Sequence, residues 1–238
     1  MKGTPFHLAW RLLRDVVAGL PARVRRNILN QAESLISAIE ADLTMKTLCD
    51  PSVGSVAEAA SSAGCRGLAT HRVAHLIAAE HGRPLARRLA EGIVGPTGVD
   101  VHYSASIAPG VALDHSPVII GETSVVGRGV YLAGATLGTR QWPAEAGSRR
   151  HPTIGEDSFV GPRALILGRV TIGARCRIGA GAVVTSDLGD DVVVAAHALV
   201  KAPVGAGARV GYAAVVLSDV APGARVGDRA TWTMLQTT

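Results

Sequence analysis

Apolar residues recur at every sixth position through the middle of the chain. A first run comprises Val101, Ile107, Leu113, Ile119, Val125, Tyr131 and Leu137, and a second comprises Ile154, Val160, Ile166, Ile172, Ile178 and Val184. A period of six fits neither an amphipathic helix nor an alternating strand, but it is typical of a solenoid that places one short strand in each repeat. The pattern therefore predicts a β-helix.

Small residues accompany this period. Glycine follows the apolar position directly at Gly155, Gly161, Gly173 and Gly179, and the fourth residue after that position is usually small. Flat faces joined by tight corners favour such residues, because glycine costs little strain in a bend. After Val184 the turn residues of SDLGDD interrupt the period, and a weaker register returns at Val204, Val210 and Val216.

The first part of the chain has a helical pattern. It extends from residue 5 to about residue 95, with breaks near Pro21 and near residues 50–54, 64–67 and 82–84, so four or five helices are expected. Pro and Gly cluster at residues 96–98, where the period changes. We assign an α-helical domain to residues 1–96, a β-helix to 97–220, and a tail to 221–238 that caps the solenoid or is disordered.

An insertion separates the two apolar runs. Leu137 and Ile154 are seventeen positions apart, which is not a multiple of six, so residues 138–152 must form a loop outside the coils. The loop carries Arg140, Trp142, Arg149, Arg150 and His151. A long polar loop on a rigid solenoid is a candidate substrate lid, with a tolerated insertion as the alternative.

The polar landmarks in this repeat resemble those of a known family. VDVH at 99–102, LDH at 113–115, GET at 121–123 and RRHPTIG at 149–155 are similar to motifs of the serine O-acetyltransferases. These enzymes belong to the hexapeptide acyltransferases, whose left-handed parallel β-helix is triangular in cross-section. The resemblance covers roughly Ala41 to Lys201. It implies an α+β chain in which an N-terminal helical domain precedes a left-handed β-helix.

The chemistry of acyl transfer requires a base for a hydroxyl, and imidazole titrates near neutral pH without a large perturbation. His115 is the candidate base, and the periodicity places Asp100 near it on the stack, where a carboxylate would hold the imidazole in its reactive tautomer. The resemblance implies the same pair. It also implies that His151 hydrogen-bonds the hydroxyl or the tetrahedral intermediate.

The substrate and donor sites follow from the same motifs. The guanidinium of Arg150 matches a substrate carboxylate, and the resemblance places Asp50 and Asp114 at the amino-acid substrate, where they would bind its ammonium. The acyl donor would be acetyl-CoA, contacted by Gly138, Arg140 and Lys201.

Three segments depart from the family pattern. HSPVIIGE keeps a strict period of six, so the extra residue that the family carries after its Asp-His pair is expected to be absent. GTRQWPAE replaces a glycine-rich segment, and AHALVKAP replaces the GVPA motif, both of which border coenzyme A in the family. The acceptor chemistry is therefore better supported by the sequence than the mode of donor binding.

Composition excludes several other functions. The net charge is +5, but the 24 Lys and Arg residues are dispersed and only 3% of residues are aromatic, so a solvated basic face is expected and not a nucleic-acid surface. Charged residues interrupt the apolar N-terminal segment too early for a signal peptide or membrane span. Cys49, Cys65 and Cys176 form neither a disulfide framework nor a CxxC motif, which favours a reducing cytoplasm.

A metal site is not expected. His71 and His75 are four residues apart and share a helix face, a spacing that can hold zinc. However, Arg72 stands where HExxH has glutamate, and no third ligand is apparent, so packing or helix capping is the expected role of this pair.

The sequence thus predicts an O-acyltransferase that converts L-serine and acetyl-CoA into O-acetyl-L-serine, for cysteine or a specialised metabolite. Acylation of another hydroxyl or amine, and a noncatalytic β-helix scaffold, are the alternatives. The resemblance implies a homotrimer or a dimer of trimers. In the family, a C-terminal isoleucine anchors a sulfhydrylase, but this chain ends in Thr238, so no stable complex through the tail is expected.

Overall fold

The computed structural model describes residues 4–140, 143 and 147–233. The chain divides into two compact units, Met1–Glu122 and Thr123–Thr238. The first unit contains the helices together with the first four strands, and helices pack directly against the first and third of these strands. The unit boundary therefore lies beyond the predicted change at residues 96–97.

Among the described residues, six helices form most of the first unit, which is more than the four or five predicted. They are α1 Pro5–Val17, α2 Ala22–Asn30, α3 Ala32–Cys49, α4 Val56–Ser61, α5 Ala63–Glu80 and α6 Arg83–Thr97. Side-chain caps begin three of them: the hydroxyls of Thr4, Ser55 and Ser62 accept hydrogen bonds from amides in the first turns of α1, α4 and α5. Within the described residues, no helix is long and apolar enough to cross a membrane.

A buried ion pair joins two of these helices to the chain that follows them. Arg72 on α5 donates two hydrogen bonds of 2.7 Å to the carboxylate of Asp42 on α3. The amides of Gly110 and Val111 also donate to Asp42, and the Arg72 guanidinium donates to two backbone carbonyls at residues 107 and 108. The pair therefore fixes the first coil against α3 and α5.

In the part of the first unit that the structure describes, four short strands follow the helices: β1 Val99–Val101, β2 Ser106–Ile107, β3 Ala112–Asp114 and β4 Val118–Ile120. Gly98 ends α6 with a left-handed φ of 68°, and a Cβ there would lie 2.7 Å from Cβ of Ser116. A side chain at residue 64 would collide with the carbonyl of Leu113, so Gly64 lets α5 approach β3. These two glycines set the entry to the solenoid and the position of the β3 end.

The second unit continues as parallel coils. Its strands are β5 Val125–Val126, β6 Tyr131–Ala133, β7 Thr136–Gly138, β8 Thr153–Ile154, β9 Phe159–Val160, β10 Leu165–Leu167, β11 Thr171–Ile172, β12 Arg177–Ile178, β13 Val183–Val184, β14 Val193–Val194, β15 Leu199–Val200, β16 Arg209–Val210, β17 Val215–Val216, β18 Arg225–Val226 and β19 Thr231–Trp232. Within this unit, three sheets form in the orders β7-β10-β13-β15-β17-β19, β5-β8-β11 and β6-β9-β12-β14-β16-β18. This confirms the predicted parallel β-helix.

The second apolar run is confirmed and the first is partly wrong. Every residue of the second run, from Ile154 to Val184, is buried. In the first run Ile119 and Val125 are exposed, whereas their neighbours Ile120 and Val126 are buried. Val101 pairs with Ile120, nineteen positions later and not eighteen. The expectation of a strict period of six across HSPVIIGE was therefore incorrect, because an extra residue is accommodated between Leu113 and Ile120.

The later coils are shorter than the earlier ones. Ile166 pairs with Val184 eighteen residues on, whereas Val184 pairs with Val200 after sixteen, and Val200 with Val216 after sixteen again. On one side each of these coils makes only a single-residue bridge, at Leu188, Val204 and Val220. The sixteen-residue coils extend to Trp232, so the boundary predicted at residue 220 falls inside the solenoid.

Aspartate side chains connect successive late coils. Asp187, Asp190 and Asp228 each accept a hydrogen bond from the backbone amide sixteen residues earlier, at 2.7–2.9 Å. SDLGDD, which the sequence pattern marked as an interruption, thus supplies two of these contacts. Each aspartate side chain therefore satisfies a backbone amide that the sixteen-residue coils do not pair through a strand hydrogen bond.

Candidate active site

The candidate base follows the last residue of β3. His115 has a left-handed φ of 48°, and its side chain is 70% exposed, which turns the imidazole outward from the coil. Its Nε2 lies 3.4 Å from Oδ2 of Asp114. His115 lies in the stretch between Leu113 and Ile120 that accommodates the extra residue of this coil.

Asp100 does not contact this histidine. Its side chain is exposed on β1, opposite Ile119, and within the described residues no hydrogen bond or ion pair joins it to His115. β1 and β3 belong to different sheets and do not pair with each other, so the residue count alone did not place Asp100 beside His115. The carboxylate nearest to the imidazole is that of Asp114.

A lysine that sequence analysis missed lies between the two predicted ammonium ligands. Nζ of Lys46, on α3, is 2.7 Å from Oδ2 of Asp50 and 2.7 Å from Oδ1 of Asp114. The Lys46 side chain is only 3% exposed. The spacing of four residues between Lys46 and Asp50 was a visible signal of a helical ion pair, but nothing local indicated that Asp114 would join it.

The contacts of Lys46 shift the pKa values of both the lysine and Asp50. The hydrogen bond from Lys46, followed by hydrogen bonds from Ser52, lowers the pKa of Asp50 to about 2. Burial acts to lower the pKa of Lys46, but hydrogen bonds to Asp114 and Asp50 outweigh it, and the pKa of Lys46 is raised. Lys46 and Asp50 are therefore both charged at neutral pH.

A cavity of about 240 Å³ opens beside these residues within the first unit. Gly64, Asp114, His115 and Ser116 are among the residues that line it. Ser116 donates a 2.5 Å hydrogen bond to the carbonyl of Thr97, which fixes the chain just after the histidine. The cavity thus combines a carboxylate and an imidazole, and the backbone next to the imidazole is held by the Ser116 hydrogen bond.

In the second unit, Thr123 organises the Arg-Arg-His segment. Its hydroxyl oxygen accepts hydrogen bonds from the amides of Arg150 and His151, at 2.9 and 3.1 Å. The amide of Thr123 in turn donates to Nδ1 of His151, which is only 7% exposed. Because a backbone amide can only donate, Nδ1 is the acceptor, and the neutral ring carries its proton on Nε2. His151 is thus held as a hydrogen-bond donor through Nε2.

A second cavity in the same unit is lined by arginines. It measures about 460 Å³, and its lining includes Arg140, Arg149, Arg150 and Arg169. Arg140 donates to the carbonyl of Thr185 at 3.1 Å. Four guanidinium groups make this cavity suited to phosphates or carboxylates. The sequence did not predict that Arg169 would line this cavity. It lies outside the loop at residues 138–152, and nothing in the sequence distinguishes it from the other arginines of the coils.

The three predicted donor-binding residues lie along one edge of a sheet. Gly138 pairs with Leu167, and Thr185 and Lys201 follow the paired residues Val184 and Val200 in the next two coils. Arg140 reaches this edge through Thr185. The structure therefore groups Gly138, Arg140 and Lys201 in one region of the second unit. Trp142, the other loop residue singled out by sequence, lies outside the described residues.

The histidine pair on α5 is placed for packing. His75 donates through Nδ1 to the carbonyl of Tyr103 at 2.8 Å, while His71 is buried, with ring centroids 5.8 Å apart. Within the described residues, no cluster of three metal-ligating side chains occurs around them.

Comparisons with known proteins agree with this arrangement. The family model described as bacterial transferase hexapeptide (six repeats) matches residues 151–186. Serine acetyltransferase 2 of Arabidopsis thaliana is 41% identical over 136 residues, which are 56% of this chain and 41% of that protein. The chain thus spans less than half the length of this plant relative.

Two further proteins match over most of their length. Serine acetyltransferase of Mycobacterium tuberculosis is 36% identical over 163 residues, covering 67% of this chain and 70% of that protein. The crystal structure of Neisseria gonorrhoeae serine acetyltransferase in complex with serine superposes with a TM-score of 0.69 at 28% identity, covering 81% of each chain.

Proposed function

Because this chain belongs to the serine acetyltransferase family, we propose that it transfers the acetyl group of acetyl-CoA to the hydroxyl of L-serine, giving O-acetyl-L-serine and CoA. The observation that carries this proposal is the position of His115, which projects from the end of β3 beside Asp114. An imidazole next to a carboxylate is suited to take a proton from a hydroxyl near neutral pH.

The proposed reaction is a direct transfer. His115 accepts the hydroxyl proton of serine while the hydroxyl oxygen attacks the thioester carbonyl carbon. The tetrahedral intermediate then collapses with cleavage of the carbon–sulfur bond, and the imidazolium returns the proton to the departing thiolate. The same histidine serves as base and then as acid, so the protein returns to its starting protonation state.

A carboxylate that faces the imidazolium would stabilise it. Asp114 is the nearer group, with 3.4 Å between Oδ2 and Nε2 of His115. Asp100 remains a proposed catalytic residue, because the exposed ring of His115 can rotate when an acceptor or a second chain covers it. The carboxylate that performs this role also fixes which ring nitrogen faces the hydroxyl.

His151 and Arg150 supply the remaining polar contacts in this proposal. The Thr123 amide keeps His151 protonated on Nε2, so His151 can donate a hydrogen bond to the oxyanion of the intermediate. Arg150 binds the serine carboxylate, and Asp50 and Asp114 lie on the side of the site toward which the serine ammonium is directed.

The arginine-lined cavity supports the assignment of the donor site. We assign Arg140 and Lys201 to the phosphates of acetyl-CoA, and Gly138 to the sheet edge along which the pantetheine arm lies. A side chain at residue 138 would lie 2.9 Å from the Leu167 side chain, so glycine keeps this edge narrow. No metal takes part in the proposed reaction.

Assembly is part of the proposal. The exposed side of His115 needs a cover that excludes water, and a neighbouring copy in a homotrimer, or in a dimer of trimers, would provide it. Light scattering at micromolar concentration checks this, and a monomer would contradict it. The three free cysteines support a reducing cytoplasm as the site of the reaction. The tail residue Thr238, on which the expected lack of a sulfhydrylase complex depends, lies outside the described residues.

Thiol release from acetyl-CoA in the presence of L-serine tests the function. His115→Ala should lower turnover by at least about 100-fold. His197→Ala is the matched control, because His197 is also exposed with a left-handed φ, of 60°, but lies on the late coils. Equal turnover in the wild type and His115→Ala would refute the assignment of the base.

A further inference from the structure

The ammonium of Lys46 already occupies the space between the two carboxylates assigned to the acceptor's ammonium. It lies 2.7 Å from an oxygen of Asp50 and 2.7 Å from an oxygen of Asp114. The side chains of Asp50 and Asp114 are only 13% and 17% exposed, so little water competes with these contacts. A substrate ammonium would have to enter a site that holds an equivalent group.

The remaining carboxylate oxygens also have partners within the first unit. Oδ1 of Asp50 accepts from the amide and the hydroxyl of Ser52, at 2.9 and 2.6 Å. Oδ2 of Asp114 lies 3.4 Å from Nε2 of His115. Every carboxylate oxygen of Asp50 and Asp114 therefore already has a partner. The ammonium of an incoming substrate must share one of these oxygens or displace its partner.

The charge balance leads to the same conclusion. Asp50 and Asp114 together carry two negative charges, and Lys46 neutralises one of them. An incoming ammonium then meets one net negative charge instead of two and is also repelled by Lys46, so its attraction to the site is weaker.

A purely structural role accounts for only part of this geometry. Lys46 precedes Asp50 by one helical turn, and an ordinary helical pair of this spacing can form at the surface. Here the lysine is buried, and its second partner comes from β3, at the residue directly before His115. The position of Lys46 is therefore set by the acceptor site as well as by the helix.

We propose that Lys46 is a specificity-determining residue: a tethered ammonium that takes the place of the acceptor's own, so that the site accepts β-hydroxy acids with or without an α-amino group. This rests on the proposed acyl transfer to a hydroxyl. Serine is then bound chiefly through its carboxylate and hydroxyl, and its ammonium adds little.

The test compares L-serine with 3-hydroxypropanoate, which has the same hydroxyl and carboxylate but lacks the amine. The readout is kcat/KM from thiol release with acetyl-CoA, for the wild type, Lys46→Met and Lys46→Arg. A charged hydrogen bond changes such a ratio by a factor of about 10 to 150. We expect the wild type to prefer serine by less than about tenfold.

Lys46→Met should raise the preference for serine by about tenfold or more through a lower KM for serine, because both carboxylates then face its ammonium. Lys46→Arg keeps the charge and should keep the wild-type preference. If Lys46 instead positions Asp50 and Asp114 for the serine ammonium, Lys46→Met will lower the preference or leave it unchanged, and either result overturns the proposal.

Binding calorimetry of both acids without acetyl-CoA separates this proposal from the acyl-transfer proposal. If the wild type releases no thiol with either acid, acyl transfer is refuted, and the calorimetric ratio still decides the role of Lys46. If circular dichroism shows that Lys46→Met is unfolded, the wild-type ratio decides: a preference for serine above about tenfold overturns the proposal. Absence of serine binding to a folded Lys46→Met also overturns it.

Discussion

The buried imidazole of His71 should make the first unit sensitive to acid. This residue on α5 is 3% exposed, and among the described residues its Nδ1 has no hydrogen-bond partner. Burial, with smaller contributions from Arg72, His75 and His102, lowers the pKa of His71 to about 3. The folded protein therefore keeps this ring neutral over a pH range in which an unfolded chain would protonate it.

The magnitude follows from the two pKa values. An unfolded histidine titrates near 6.5, so below that pH the unfolded state binds one more proton than the folded state, and stability falls as the pH falls. Well below pH 6.5 each pH unit costs about 1.4 kcal/mol, and the loss amounts to about 3 kcal/mol between pH 7.5 and 4.5. The loss ends near pH 3, where the folded ring also becomes protonated. Above pH 6.5 this contribution to stability is fully present.

Urea unfolding from pH 7.5 to 4.5 measures this dependence, with His71→Leu as the perturbation. The variant has no proton to take up, so its free energy of unfolding should decline less steeply than that of the wild type. The difference in free energy of unfolding between the wild type and His71→Leu should change by about 3 kcal/mol from pH 7.5 to 4.5. His197→Leu, at an exposed position, should follow the wild type. Parallel curves for the wild type and His71→Leu would refute the reasoning.

Two further perturbations test other contacts. Arg72→Met leaves the carboxylate of Asp42 buried without its cation and should cost about 3–5 kcal/mol in urea unfolding at pH 7, and a second change, Asp42→Asn, should recover part of that loss. A cost below about 1 kcal/mol would show that water reaches the pair. Thr123→Val preserves shape and the amide that donates to His151 but removes the oxygen that accepts from the Arg150 and His151 amides. It should lower kcat about tenfold in the thiol-release assay, and an unchanged kcat would exclude a positioning role for this hydroxyl.

The apolar period was sufficient to predict the solenoid but not its phase. Around β4 the three consecutive residues Val118, Ile119 and Ile120 are all apolar, and Val125 and Val126 repeat the ambiguity. A count of every sixth residue therefore fits either phase, whereas only one phase buries its side chains. The extra residue near His115 is visible only when strands pair, because pairing requires Val101 to meet Ile120.

Only part of the candidate active site could be predicted from the sequence, for a similar reason. His115, Asp114 and Asp50 follow from short motifs, whereas the position of Lys46 depends on α3 meeting the end of β3. A lysine in a helix gives no local sign of burial, since its long side chain usually extends into solvent. Thr123 belonged to a recognised motif, but its link to His151 arises from contacts across 28 residues of chain.

The sixteen-residue coils have a consequence for how this protein can vary in length. Each late coil pairs only with its neighbours, so the series behaves as a stack of interchangeable units. Loss of residues 205–220 would bring Val226 opposite Val194 and Trp232 opposite Val200, with every later register intact. Whole coils can thus be gained or lost in this region while Thr123, Arg150 and His151 keep their surroundings.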